Sequence, residues 1–201
     1  MLDTDENDEI TIKTILIGNS GVGKTNLINT SIGEEFNEKE NCTTGGSFVQ
    51  KKITINNKNY ILNLWDTAGQ ENYKSITKIF LKKSLIVIFV YDITDKKSFE
   101  DLEHWINLCK EMIDNNYICG IVGNKTDLYA KEQVSEEDAQ KFADSKGMKF
   151  KLVSAKKNPG LFNKFLEVLV DEFENGFSEN IEFKNTIKIE NIPKKKKKCN
   201  C

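Results

Sequence analysis

Arginine is absent from this 201-residue chain, and all 29 of its basic residues are lysine. A guanidinium is a planar fork suited to spread phosphoryl charge, whereas a lysine ammonium is a compact point charge. Fast phosphoryl chemistry would therefore have to borrow its arginine from a partner. Abundant lysine and asparagine also fit the codon usage of an AT-rich genome, but the chemical consequence is the same. Histidine is nearly absent too. His104, the only one, lies in a helical stretch and reads as a surface residue rather than a catalyst or metal ligand. No apolar stretch approaches the length needed to span a bilayer, and Met1–Glu9 is acidic rather than signal-like. The five cysteines, an odd number, show neither a disulfide framework nor metal-ligand spacing, which points to a reducing cytosol. Cys42, Cys109 and Cys119 read as ordinary thiols.

What is present fits one domain with a full core, since 201 residues are too few for a comfortable two. Strand-like and helical stretches alternate, which predicts an α/β fold with a mostly parallel sheet and helices on both faces. Lys51–Asn56 and Asn59–Trp65 flank Asn57-Lys58, predicting a hairpin turn and one antiparallel edge strand. Leu85–Tyr91 is continuously apolar, as expected of a strand covered on both sides. Leu161, Phe162, Phe165, Leu169 and Phe173 recur at helical spacing and predict the buried face of the last helix.

Gly18-Asn19-Ser20-Gly21-Val22-Gly23-Lys24-Thr25 fits the phosphate-loop pattern G-x-x-x-x-G-K-[ST], between a strand-like run at Ile12–Ile17 and a helical opening at Asn26–Ile32. In that setting glycines let backbone N–H groups turn toward a polyphosphate, and the helix N-terminus adds partial positive charge. Lys24 can reach the outer phosphates, and the Thr25 hydroxyl can serve Mg²⁺. Asp66 ends the apolar run Leu62–Trp65, where a carboxylate beside the loop can hold Mg²⁺, commonly through water. Asn124-Lys125-Thr126-Asp127 follows the apolar run Ile118–Gly123. Asp127 suits guanine, whose ring N–H and exocyclic amine donate together to two carboxylate oxygens; adenine lacks that donor pair. Ser154-Ala155-Lys156 supplies a second loop to close over the base.

Phosphate loop, WDTAGQE, NKTD and SAK, in this order and spacing, resemble the Ras-superfamily small GTPases. Tyr91-Asp92-Ile93-Thr94, Ser75-Ile76-Thr77, Ser98-Phe99-Glu100 with Trp105, and the terminal Cys199-Asn200-Cys201 are similar to the Rab branch. The resemblance implies a Ras-like P-loop fold with a six-stranded sheet, and residues 20–26 (Ser20, Gly21, Val22, Gly23, Lys24, Thr25, Asn26) around the phosphates of GTP or GDP. It implies Thr43 as the switch threonine sensing the γ-phosphate and Mg²⁺, Gly69 as the glycine whose N–H meets the γ-phosphate, and Gln70 as the glutamine orienting the attacking water. Lys24 and Thr43 join Gln70 as catalytic residues, and Thr25, Thr43 and Asp66 form the metal set. Phe36 falls where an aromatic packs on guanine; Asn124, Lys125 and Asp127 contact or brace the base, and Ser154, Ala155 and Lys156 close over it. Phe48, Trp65 and Phe80 match an aromatic effector surface. Some positions depart from the pattern. Glu40 stands where an aromatic often lids the phosphates, Gly46 and Ser47 replace an apolar and acidic pair, and Leu81-Lys82 replaces Tyr-Arg.

The expected organisation is a short acidic extension over 1–10, a GTPase domain over 11–176 and a tail over 177–201. Removing the five lysines Lys194–Lys198 takes the net charge from −2 to −7, so an acidic body carries a basic tail. Ile181, Phe183, Ile187 and Ile189 alternate with polar residues, while a solvated linker is the default expectation. The final Cys199 and Cys201 resemble the doubly prenylated Rab ending. Two lipid chains with a basic patch anchor stably to a membrane. The resemblance implies an exchange factor, an activating protein, effectors and a GDI-like prenyl-binding carrier. It implies a monomer on the cytoplasmic face of an intracellular membrane, cycling with cytosol. The alternative is a nucleotide-binding membrane adaptor with little or no hydrolysis. Nucleic acid is not an expected partner, because the body is acidic and offers no stacking platform.

Overall fold

The structure, a computed structural model, describes residues 9–40, 43, 47–67, 80–113 and 117–179. Its framework is a six-stranded sheet in the order β2-β3-β1-β4-β5-β6. The strands are β1 (Ile10–Ile17), β2 (Ser47–Ile55), β3 (Lys58–Asp66), β4 (Ile86–Asp92), β5 (Ile118–Asn124) and β6 (Lys149–Leu152). All neighbours run parallel except β2 and β3, the expected antiparallel edge pair. β4 is apolar up to Asp92 and every one of its residues is buried, because helices cover both of its faces, and β1 is buried over its C-terminal half.

The hairpin turn lies one residue earlier than the sequence suggests. Asn56 and Asn57 occupy the turn with φ of 50° and 61°, and Lys58 already pairs with Ile55. A two-residue hairpin turn of type I′ needs positive φ at both central positions. Asparagine tolerates that region more readily than lysine, which favours the Asn-Asn pair in the turn.

Among the described residues, the helices α1 (Lys24–Ser31), α2 (Lys96–Glu100), α3 (Leu102–Met112), α4 (Glu136–Ser145) and α5 (Pro159–Glu179) pack on the two faces. On one face Phe162, Phe165, Leu169 and Phe173 of α5 join Leu27, Ile28 and the inward residues of β1 and β3. Leu161 is only partly buried, and Leu166 and Val170 complete the apolar stripe. On the other face Trp105, Ile106 and Cys109 of α3 and Ala139 and Ala143 of α4 cover Val87, Phe89 and Tyr91. α5 continues to Glu179. Its far end is tied to the hairpin, where Glu174 accepts from Lys58 Nζ at 2.5 Å and Asn56 Nδ2 at 3.2 Å.

Burial pushes the thiols of Cys109 and Cys119 upward, Cys119 to about 12, so both remain protonated and unreactive, as ordinary core thiols do. Cys42 lies outside the described residues. His104 is exposed. Among the described residues, no helix is long and apolar enough to cross a membrane. Because β1, β3, β4, β5 and β6 run parallel, their C-terminal ends share one rim of the sheet, where ligands of open α/β sheets bind.

Candidate nucleotide and metal site

Each sequence motif follows one of those strand ends. Gly18 leaves β1, Asp66 ends β3, Asp92 ends β4, Asn124 ends β5 and Ser154 follows β6. At the loop after β1, a Cβ on Gly18 would stand 2.1 Å from the Val90 carbonyl oxygen, so only glycine lets the chain pass β4. Gly23 has φ of 94°, and a Cβ there would stand 2.4 Å from Asn124 Nδ2. The loop thus turns close against β5 and enters α1 at Lys24. No side chain caps α1 and no acidic residue occupies its first turn, so its N-terminal N–H groups suit an anion. Lys24, 5% exposed, donates from Nζ to the carbonyls of Gly18 at 2.9 Å and Asn19 at 2.8 Å. Its ammonium is thereby folded over the cradle it would serve.

Thr25, Thr43 and Asp66 come from three separate segments and meet in one cluster. Thr25 Oγ1 donates to Asp66 Oδ2 at 2.8 Å, Thr43 Oγ1 reaches the same oxygen at 2.9 Å, and the two hydroxyls are 3.0 Å apart. Asp66 is 5% exposed, and its other oxygen, Oδ1, is buried with no hydrogen-bond partner among the described residues. A buried carboxylate oxygen without a partner is costly unless a cation or donor meets it. Hard oxygen donors of this kind suit Mg²⁺. Thr67 Oγ1 donates to the Leu16 carbonyl at 2.7 Å and pins the end of β3 to β1, which fixes Asp66 relative to the loop.

The base-side motifs are braced as much as they are presented. Asn124, 2% exposed, donates from Nδ2 to the Val22 carbonyl at 2.9 Å and accepts from the Ala155 N–H at 3.2 Å. One amide therefore joins the phosphate loop to the loop after β6. Lys125 takes a left-handed φ of 69°, and its Nζ pairs with Asp92 Oδ2 at 2.7 Å. Asp127 Oδ1 accepts from Ser154 Oγ at 2.5 Å, which sets the carboxylate's orientation. Lys156 forms an ion pair with Glu38 and stands over the Phe36 ring, 5.7 Å from its centroid. That contact closes the segment after α1 against the base loop. The Lys156 hydrogen bond and its charge hold the exposed Glu38 carboxyl below its usual range.

Other expected residues fall as follows. Ser20 and Gly21 are exposed on the loop, and Val22 is buried beneath it. The Asn26 side chain is spent on Asn37, whose N–H it accepts and whose carbonyl it meets, both at 2.9 Å. It therefore fixes the turn after α1 and leaves only its backbone for a ligand. Phe48 stacks on Trp65 with centroids 4.9 Å apart, and Trp65 meets Phe80 at 5.3 Å. Phe48 is 48% exposed, so this aromatic row continues to the surface. Gly69, Gln70, Cys199 and Cys201 lie outside the described residues. An open groove of about 840 Å³ between α4, β6 and α5 is lined by none of the candidate residues. Sequence reasoning missed Asp92 as the partner of Lys125 and Asn19 as a partner of Trp105. The 86-residue separation of the second pair left no local signal.

The profile of the Ras family matches residues 13–195. The chain is 39% identical over 173 residues to GTP-binding protein ypt3 of Schizosaccharomyces pombe, covering 86% of this chain and 80% of that protein. It is 41% identical over 156 residues to Ras-related protein Rab-21 of Geodia cydonium, covering 78% of this chain and 68% of the relative. With Ras-related protein Rab-11C of Dictyostelium discoideum it shares 37% identity over 167 residues, covering 83% and 75% respectively.

Proposed function

Because the chain belongs to the Ras family, in which it is a Rab-like small GTPase, we propose that it is a membrane-recruited switch of vesicle trafficking that hydrolyses GTP with Mg²⁺. The observation that carries the metal-dependent reading is the meeting of Thr25, Thr43 and Asp66, with a buried Asp66 oxygen left unpartnered. Those three residues would hold the ion. When bound, Mg²⁺ supplies charge neutralisation to the phosphates and a fixed template for them.

The chain's own residues do the remainder. Lys24 and the N–H groups of residues 20–25 bind the phosphates, Thr43 responds to the terminal phosphate, and Gln70 orients water for attack. Asp127, held by Ser154, accepts from the guanine N–H pair, Ala155 offers its N–H to the base oxygen, and Phe36 with Lys156 covers the ring. With no arginine in the chain, the transition state lacks a guanidinium in cis. An activating protein that inserts one would raise the rate by about 10³–10⁵ in related enzymes. Phe48, Trp65 and Phe80 form the surface read by effectors, and an exchange factor reloads GTP. Cys199 and Cys201, both prenylated, anchor the protein to the cytoplasmic face of an intracellular membrane, with Lys194–Lys198 adding attraction to anionic lipid. A prenyl-binding carrier returns it to the cytosol.

Single-turnover hydrolysis by the purified protein tests this reading, with Gln70→Leu beside it and ATP as control. Slow, GTP-specific and Mg²⁺-dependent hydrolysis that falls in Gln70→Leu is the expected result. Tight GTP binding without hydrolysis above the Gln70→Leu level would refute it.

A further inference from the structure

Asn19, the second residue of the phosphate loop, carries a side chain that no phosphate contact requires. Its amide oxygen accepts from Trp105 Nε1 at 2.8 Å, and its amide nitrogen donates to Asp101 Oδ2 at 2.8 Å. An indole N–H can only donate and a carboxylate can only accept, so these two partners fix the amide's orientation. Asp101 stands at the start of α3, and its other oxygen holds Lys97 Nζ at 2.5 Å. Trp105 is 3% exposed within the α3–α4 core, a rigid base for the contact. At the other end of the same residue, the Asn19 carbonyl receives the Lys24 ammonium at 2.8 Å. A continuous chain of hydrogen bonds thus runs from the surface of α2 to the lysine that serves the phosphates.

We propose that Asn19, Asp101 and Trp105 form a positioning clamp on the phosphate loop, which fixes the Asn19 carbonyl and Lys24 and so governs how long nucleotide is held. This rests on the guanine-nucleotide reading above. Asn19 is a positioning residue, and Asp101 and Trp105 act only through it. The bland role of the same contacts is to satisfy a buried indole, which would affect stability and leave nucleotide exchange alone.

The test is release of fluorescent GDP from the full chain in Mg²⁺. Asn19→Asp sets two carboxylates where an amide and a carboxylate now meet, and release is expected about tenfold faster. Adding Asp101→Asn restores a donor–acceptor pair in the reverse sense while keeping an acceptor for Trp105 and for Lys97. Release should then return to within about twofold of the wild-type rate. Trp105→Phe retains ring packing and loses only the N–H, with release expected roughly 3–10-fold faster. Lys96→Ala, in a neighbouring exposed ion pair outside the clamp, should leave release unchanged. Unchanged release in both Asn19→Asp and Trp105→Phe overturns the proposal, as does an Asn19→Asp effect that Asp101→Asn does not reverse. A lowered melting temperature in Trp105→Phe with wild-type release would assign the contact to stability alone and overturn it equally. Failure of the wild-type protein to retain GDP at all would instead refute the nucleotide reading.

Discussion

Asn124→Ala tests whether the guanine-side asparagine is a strut before it is a ligand. Its amide makes two buried hydrogen bonds, to the Val22 carbonyl at 2.9 Å and from the Ala155 N–H at 3.2 Å. Truncation leaves both backbone groups without these partners, and water reaches neither readily because Asn124 is 2% exposed. Each stranded buried group costs about 1–3 kcal/mol, so the sum is on the order of 2–6 kcal/mol. That is a large share of the roughly 5–15 kcal/mol that separates folded from unfolded domains. The assay is urea unfolding in Mg²⁺ at two GDP concentrations, so that the stabilisation contributed by bound ligand, which depends on its concentration, can be separated from the protein's own. The expected outcome is a lower midpoint at both concentrations, with a loss that persists after extrapolation to zero ligand. A loss below about 1 kcal/mol at zero ligand would refute the strut. Weakened GDP binding would then come from a lost base contact alone.

Three further outcomes follow from the same structure. Thr14 is fully buried in β1, and its Oγ1 has no partner among the described residues, so Thr14→Val should stabilise the protein by about 1 kcal/mol; a lowered urea midpoint would contradict this. Burial first, and then the Glu174 carboxylate, raise the Tyr60 phenol to about 12 from 10.0, so the neutral form is favoured on folding. Its contribution is complete below pH 10 and is lost as pH rises from 10 toward about 12, which phenolate absorbance alongside unfolding would follow; ionisation near pH 10 in the folded protein would contradict it. Chelating Mg²⁺ should speed GDP release from the wild-type protein on the order of tenfold or more, whereas Asp66→Asn should release quickly from the start and respond little to chelator. Equal chelator responses in the two proteins would remove Asp66 from the metal set.

The sheet and the strand-end placement of every motif were legible because their signals are local: strand-length runs ended by glycine, aspartate, asparagine or serine. The hairpin was misplaced by one residue because both Asn-Asn and Asn-Lys read as turn pairs, and only the φ of each position separates them. Asn26 and Asn124 show a different limit. Both belong to recognisable motifs, yet their amides are occupied by backbone groups 11 and 102 residues away in the chain. A motif reports which residue stands at a site, whereas its partners depend on which loops the fold brings there. Trp105 was visible as a family feature, but its bond to Asn19 required the packing of α3 beneath the phosphate loop.

The last helix has a geometric consequence of its own. α5 begins five residues after Ser154, at the ligand-binding rim, and its far end is pinned to the β2–β3 turn through Glu174. Its 21 residues span about 30 Å. α5 therefore behaves as a mast that carries Glu179 to the pole opposite the candidate nucleotide site. A load pulling on that end would act first on the hairpin, far from the phosphate loop at the rim. An attachment made through that end would thereby be mechanically separate from the rim, so under the function proposed above the protein could be held by one pole while the other changes state.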